Sequence, residues 1–479
     1  MNGMNQSQAG PSRSPSNPLV LASIGTVLID AFDSPPRPVV DPIPNLVSAS
    51  ILPLKSKVDT VTGLPTPPTP PTPPTPNPRE YDSTYYGNAV NGASANTNLQ
   101  VGQATPVHSA FPFRPSHVLP HLATPVTSPV NSSGPSTPQL SLDDVPAPNP
   151  EDVYEMLGGG ALYALVGARL WLPSSRLRTL VDRAPESEEN ELPPDAEDRL
   201  KGLGEDIWIW NRPEGAKMIR ARIRYEGDVR FFHPIVRAKH RTMGQLQQSA
   251  LCGAEYLHIS PPYSPENVYN LLEEMKALQR KTAHGEEGVI WKPKIVFEPT
   301  PPSCHPGQRE WLEKIVPSIE VLSPNHEEIF SIMGTSPPDL TSVQFKPTVE
   351  GIIKHFVHDI GIGQNSQGVM IVRCGRLGAC IGTREKGMKW CPAFFEGAEQ
   401  TRVKDVTGAG NSFLGGFVAG LSLSNGDPYE ALLYATVSAS FVVEQFGLPT
   451  LSVDDGVEKW NDDSPRSRLE KLRRQVNAV

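Results

Sequence analysis

Residues 65–76 read PTPPTPPTPPTP, and no helix or sheet can be built from that spelling. Each proline lacks a backbone donor and holds φ at about −65°, so the tract is polyproline II. It lies in a longer stretch of the same character: residues 31–150 hold 26 of the chain's 52 prolines. The rest of 34–150 is Ser, Thr and Asn with scattered apolar residues, too few to offset the entropy of ordering them. We expect disorder over 34–150 and over the polar residues 1–17. The folded material is then 18–33 joined to 151–455, with a charged C-terminal tail at 456–479 that reads as a surface helix or a frayed end. Loop closure grows by only about 0.6 kcal/mol per doubling, so stretching a loop of about eight residues past a hundred costs roughly 2–3 kcal/mol. An insertion of this length is therefore compatible with one fold. Its sequence does not separate a functional segment from a misassigned coding boundary.

The net charge of −9 argues against a nucleic-acid binder, which needs a basic stripe for phosphates. A small anion needs only a local positive site. The five cysteines, Cys252, Cys304, Cys374, Cys380 and Cys391, are odd in number and form no CxxC pair, which points to a reducing compartment, the cytoplasm or else the nucleus. The apolar run from Pro18 to Phe32 is short for a membrane span and contains Asp30, so it reads as one buried strand.

From Glu151 onward strand and helix signals alternate. Strands are expected at 256–259, 294–297, 319–322 and 369–373. Helices are expected at 160–170, 265–280, 307–315, 325–333, 411–423 and 428–446. That order predicts an α/β fold with a mostly parallel sheet covered on both faces. Residues 183–206 are acidic and contain prolines, and read as a solvated loop. Residues 207–210 and 217–232 alternate with period two, Arg220, Arg222 and Arg224 on one face, as in a half-exposed antiparallel ribbon.

The strongest chemical signal is KDVTGAGNSF at 404–413, followed by LGGFVAGL. Backbone N–H groups of a glycine-rich turn at a helix N-terminus converge on an anion, and small side chains let a phosphate reach the backbone. Tight helix packing would ask for the same glycines.

DVTGAGN resembles the C-terminal signature of the ribokinase-like (PfkB) carbohydrate kinases, and other pieces fall in the family's order. GTVLID at 25–30 resembles the first strand with its sugar-binding Asp. LGGGALYALVGARL at 157–170 resembles the di-glycine signature. SPNHEE at 323–328 resembles the N-x-x-E segment, and VMIVRCGRLGA at 369–379 the strand and turn beside the nucleotide. The flavour is closest to the fungal maintenance-of-killer ribokinase-like branch. The resemblance implies a three-layer ribokinase-like fold with a small β lid at about 207–232, and transfer of the ATP γ-phosphate to a sugar or nucleoside hydroxymethyl group with Mg²⁺. It gives Thr407, Gly408, Ala409 and Gly410 to the phosphates, with Thr407, Asn325, Gly375 and Gly378 on the nucleotide side. Glu328 would place Mg²⁺ through water. Asp30, Gly158, Gly159 and Tyr163 would meet the substrate. It further implies a homodimer through the lid.

Two departures stand out. The family's base is the last Asp of the C-terminal signature, and here that position is Asn411. An amide holds a hydroxyl but takes no proton at neutral pH, so transfer is expected to be slow. Asp405, six residues upstream, is the alternative base. The family's sugar-binding Asn after the glycines is replaced by Tyr163 or, in the other alignment, by Leu162. Each remaining piece has a plainer reading. Asn325 with Glu328 is also a capping box, and Gly375 with Gly378 also suits a tight hairpin. The chain is therefore expected to be a slow sugar kinase, a pseudokinase that binds nucleotide or metabolite, or a scaffold. The scaffold would work through 34–150, with 65–76 as a site for SH3- or WW-type partners. No nucleic-acid or membrane partner is expected.

Overall fold

The computed structural model describes residues 18–32, 154–185, 192, 194–226, 229–283 and 291–477. The expectations for 1–17, for 34–150 and for the tract at 65–76 lie outside the described residues. In chain order the elements are β1 (Leu21–Ile24), β2 (Leu28–Phe32), β3 (Tyr154–Gly158), α1 (Gly160–Arg169), β4 (Leu177–Asp182), α2 (Pro194–Leu203), β5 (Trp208–Asn211), β6 (Ile219–Glu226) and β7 (Val229–Val236). Then come α3 (Met243–Gln247), β8 (Tyr256–Ile259), α4 (Pro265–Ala283), β9 (Lys294–Phe297), α5 (Arg309–Ile315), β10 (Val321–Leu322), α6 (His326–Ile332), α7 (Phe345–Lys354), β11 (Val369–Arg373), β12 (Ala379–Thr383) and β13 (Gly387–Cys391). The chain ends with α8 (Ala409–Leu423), α9 (Pro428–Val442), β14 (Leu451–Asp454), β15 (Val457–Trp460) and α10 (Pro465–Asn477).

Nine strands form the main sheet in the order β13-β12-β11-β10-β9-β8-β1-β4-β5. All neighbours from β11 to β5 are parallel, and the β12–β13 hairpin closes the edge antiparallel. Side chains alternate between the two faces. Leu21, Val296, Val321 and Ile371 enter one core, with Leu162 and Leu165 of α1, Phe417 of α8 and Phe441 of α9. Ala22, Ile24, Leu257, Phe297 and Met370 enter the other, with Val268 of α4, Phe330 of α6 and Ile353 of α7. The result is the three-layer, mostly parallel α/β sandwich that the resemblance implies. A second sheet, β3-β2-β6-β7, stands apart from it.

Four expectations need correcting. The apolar run at 18–32 is two strands, because the chain turns at Gly25-Thr26; β1 joins the main sheet and β2 the small one. Residues 207–210 do not belong with the ribbon: β5 extends the main sheet beside β4, whereas β6 and β7 form the antiparallel pair. The acidic stretch 183–206 contains α2, which buries Ala196, Leu200 and Leu203 together with Leu192. Its three buried positions recur at helical spacing beneath a charged outer face. Finally, residues 456–477 are more than a surface helix or a frayed tail. β15 completes a hairpin, Trp460 is buried, and α10 packs on α9 through Leu469 and Leu472. Arg468 of α10 lies over the Phe441 ring and pairs with Glu444.

Two close approaches of distant chain segments position the glycine-rich turns. Phe32 lies opposite Tyr154, so the end of β2 and the start of β3 are held side by side. On the other side α1 and α8 touch backbone to backbone. A β-carbon at Gly415 would strike the Ala164 carbonyl, and one at Gly167 the Ser412 carbonyl. The glycines of LGGFVAGL thus serve close helix packing, and this sets the N-termini of α1 and α8 side by side.

Candidate active site at the ends of the parallel strands

Gly408 caps α8 in the left-handed conformation, φ 78°, and no side chain caps the helix. Residues 407–411 are half-exposed. The Asp405 carboxylate accepts from the Thr407 N–H at 3.0 Å, so Asp405 helps to shape the turn. Tyr163 of α1 is only 3% exposed, and a β-carbon at Gly408 would run into its ring. The residue expected at the substrate is thus seated against the turn.

The α1 end is different. Gly159 precedes it at φ 111°, and Thr26 takes the first donors: Gly160 N–H to Thr26 Oγ1 at 3.1 Å and Ala161 N–H to the Thr26 carbonyl at 3.0 Å. A side chain at Gly159 would strike that carbonyl. Gly158 faces the Asp30 carboxylate, which is 7% exposed. A β-carbon at Gly160 would lie 2.6 Å from Ser260 Oγ and 3.1 Å from Asn411 Nδ2. Asp30 and Asn411 therefore both lie against the segment Gly158–Gly160. Ser260, at the end of β8, was not singled out by sequence; a serine before two prolines carries no signal by itself.

Arg373 is the second residue that sequence reasoning missed. It ends β11, and the space a side chain would need at Gly410 is filled by its guanidinium. Its Nη2 donates to the Ser323 carbonyl at 3.0 Å and lies 3.3 Å from Glu298 Oε2 and 3.5 Å from Glu328 Oε2. The buried row continues along the sheet. Glu298 Oε1 is 3.6 Å from His258 Nε2, and His258 Nδ1 is 2.9 Å from Ser23 Oγ. Arg373, Glu298, Ser323, His258 and Ser23 come from β11, the ends of β9 and β10, β8 and β1, on the face toward α1 and α8, and Glu328 comes from the first turn of α6.

Asn325 and Glu328 realise the capping box: Glu328 N–H donates to Asn325 Oδ1 at 2.8 Å, and Asn325 N–H to Glu328 Oε2 at 2.7 Å. Glu328 is 8% exposed. Burial pushes its carboxyl up to about 7, against the opposing pull of Arg373 and of the Asn325 N–H. A carboxyl whose folded pKa exceeds its unfolded value of 4.5 binds its proton more tightly in the native state. Its contribution to stability is full below about pH 4.5, falls as pH rises toward 7, and is flat above. Glu328→Gln should remove that dependence. Relative to wild type it should gain up to about 3 kcal/mol between pH 5 and pH 8, read from urea unfolding at the two pH values. An unchanged difference at both would refute this.

Gly375 and Gly378 lie in the tight turn between β11 and β12. Cys374 N–H donates to the Gly378 carbonyl at 2.7 Å, and a β-carbon at Gly378 would strike the Cys391 carbonyl. The hairpin reading accounts for Gly378; Gly375 meets nothing within 4 Å.

Residues 224–454 match the model of the pfkB family carbohydrate kinases. The chain carries a pfkB-family carbohydrate kinase domain. An uncharacterized protein of Schizosaccharomyces pombe is 27% identical over 351 residues, covering 70% of this chain and 91% of that protein. Protein MAK32 of Saccharomyces cerevisiae is 25% identical over 329 residues, covering 65% and 84%. Among solved structures, a ribokinase from Cryptococcus neoformans in complex with ADP is similar at 19% identity and TM-score 0.46, covering 67% of this chain and 90% of that one. An adenosine kinase from Anopheles gambiae is similar at 16% and 0.45, covering 62% and 82%.

The pfkB resemblance brings Mg²⁺ with it, and the residues present do not fit that ion. Among the described residues no group of three or more His, Cys, Asp or Glu side chains is disposed to hold a metal. Glu328, the carboxylate expected to serve it, shares one oxygen between a backbone N–H and Arg373. One guanidinium already answers both Glu298 and Glu328, which leaves little uncompensated negative charge for a divalent ion to meet. A cavity of about 420 Å³ does exist in the pfkB domain, lined by Glu320, Asn365, Ser366, Arg384, Lys386 and Pro428 among others. It lies at the opposite ends of the parallel strands, and none of the site residues above lines it.

Proposed function

We propose that the chain binds a nucleotide through its phosphates at the first turn of α8 and transfers phosphate slowly to the hydroxymethyl group of a sugar or nucleoside. The observation that carries this reading is the convergence of the uncapped α8 turn, Asn411 and Asp30 on the single segment Gly158–Gly160. In this reading the Thr407–Gly410 backbone, with Gly408 and Ala409 at its centre, steadies charge on the phosphates. Asp30 accepts from substrate hydroxyls and so orients them. Asn411 holds the attacking hydroxyl through its amide. The new O–P bond forms as the bond to the leaving phosphate breaks, and the hydroxyl proton departs to water because the amide of Asn411 does not take it. Such a site keeps positioning and electrostatics, the larger part of phosphoryl transfer, and lacks the base.

A second reading, a nucleotide-binding regulatory module without transfer, is favoured by the Arg373 contacts to Glu298 and Glu328. ATP consumption with a panel of pentoses, hexoses and nucleosides, in wild type and in Asn411→Asp, separates the two. Transfer in either protein supports the first; nucleotide binding without transfer in both supports the second. The scaffold reading rests on residues outside those described and draws nothing from this geometry.

A further inference from the structure

Arg373 occupies a place that decides how a phosphate chain would be neutralised here. Its Nη1 side lies against Gly410, the second residue of α8, and Nη2 faces two buried carboxylates. Its Nε is buried and finds no acceptor among the described residues. A guanidinium offers five donors in a planar fork, and here the described contacts account for only part of that capacity. The positive end of α8 and a fixed positive side chain thus meet at one point. A polyphosphate entering over Gly408–Gly410 would reach both.

We propose that Arg373 takes the place of the divalent cation in this site, so that a nucleoside di- or triphosphate is bound without metal. The inference rests on the nucleotide-binding reading above and goes further: it names the form of the ligand and the residue that accepts it. A bound phosphate draws the guanidinium onto its oxygens as a charge-assisted pair. Glu298 and Glu328 stay behind as the anchors that aim it, each lying beside it. The same contacts explain why a magnesium-complexed nucleotide has no advantage: the ion would have to share Glu328 with a cation already seated there.

The test is calorimetric titration of the full chain with ADP and with ATP, once in excess Mg²⁺ and once in EDTA. Dissociation constants within about threefold of each other in the two buffers are expected. Arg373→Met should weaken binding in EDTA by at least about tenfold. That variant strands two buried carboxylates and can fail to fold. The triple variant Arg373→Met, Glu298→Gln, Glu328→Gln carries no stranded charge and should show the same loss. Binding that occurs only with Mg²⁺ overturns the inference and leaves the nucleotide reading standing. Tighter binding by either variant also overturns it, since Arg373 would then be an obstacle. No binding in either buffer overturns the inference and the nucleotide reading together.

Discussion

Asn411→Asp is expected to raise phosphoryl transfer at least tenfold over wild type, read as phosphorylated product formed from a sugar and nucleoside panel. General-base contributions are typically about 10²–10⁴-fold, or roughly 3–5 kcal/mol of barrier. The exchange replaces one heavy atom, Nδ2 by an oxygen, in a half-exposed side chain at the third residue of α8, where an acid is also favoured by the helix dipole. The neighbours do not change: Gly160 and Ser260 remain beside it, and Ser412, the next residue, stays tied to the Ser438 carbonyl at 3.1 Å. The expected gain is set below the full range because Arg373 still holds Glu328. The variant's rate should rise with pH through the carboxylate range, as a base must lose its proton to act. If both proteins bind nucleotide and neither transfers phosphate, the slow-kinase reading fails and the regulatory one stands.

Gly408→Ala should have the largest effect on the scaffold of the site. The residue sits at φ 78°, where a β-carbon costs about 1–2 kcal/mol. That carbon would also meet the Tyr163 ring, which is buried and has no room to retreat. Overpacking of this kind costs about 1–3 kcal/mol more. The sum, roughly 2–5 kcal/mol, should lower the thermal midpoint by about 4–10 °C. Nucleotide binding should weaken with it, because the turn that aims the α8 donors must shift. Gly375→Ala supplies the comparison. It also has positive φ, but nothing lies within 4 Å of its β-carbon, so only the conformational cost of about 1–2 kcal/mol applies. Equal destabilisation by the two substitutions would mean that Tyr163 gives way freely, contrary to the packing described.

The sequence carried the layered α/β fold because its helices and strands alternate with clear periods. It carried the α8 turn because three small residues before an apolar helix are a local pattern. What it did not carry depends on pairing between distant strands. The break at Gly25-Thr26 is invisible in a run that is apolar and β-branched on both sides of it. It becomes necessary only when Thr26 is seen to cap α1 from 134 residues away. Arg373 reads as an ordinary last residue of a strand. Its meaning comes from the parallel register that sets Asn325 beside it and brings Glu298, Glu328 and Gly410 within reach. His258 stands in no metal-ligand spacing along the chain and carries no signal by itself, yet it lies in a buried polar row between Ser23 and Glu298. α2 was legible in principle, since Ala196, Leu200 and Leu203 repeat at helical spacing, but the surrounding charge hid the repeat.

The central claim is that nucleotide phosphate lands on the first turn of α8. Hydrogen–deuterium exchange of the full chain, with and without millimolar ADP, measures this at the backbone itself. The account predicts slowed exchange at the amides of Thr407–Asn411, and no change at Asn365–Gln367 or Arg384–Lys386 around the cavity at the far ends of the strands. Unchanged exchange at 407–411, or protection confined to that distant cavity, would contradict it.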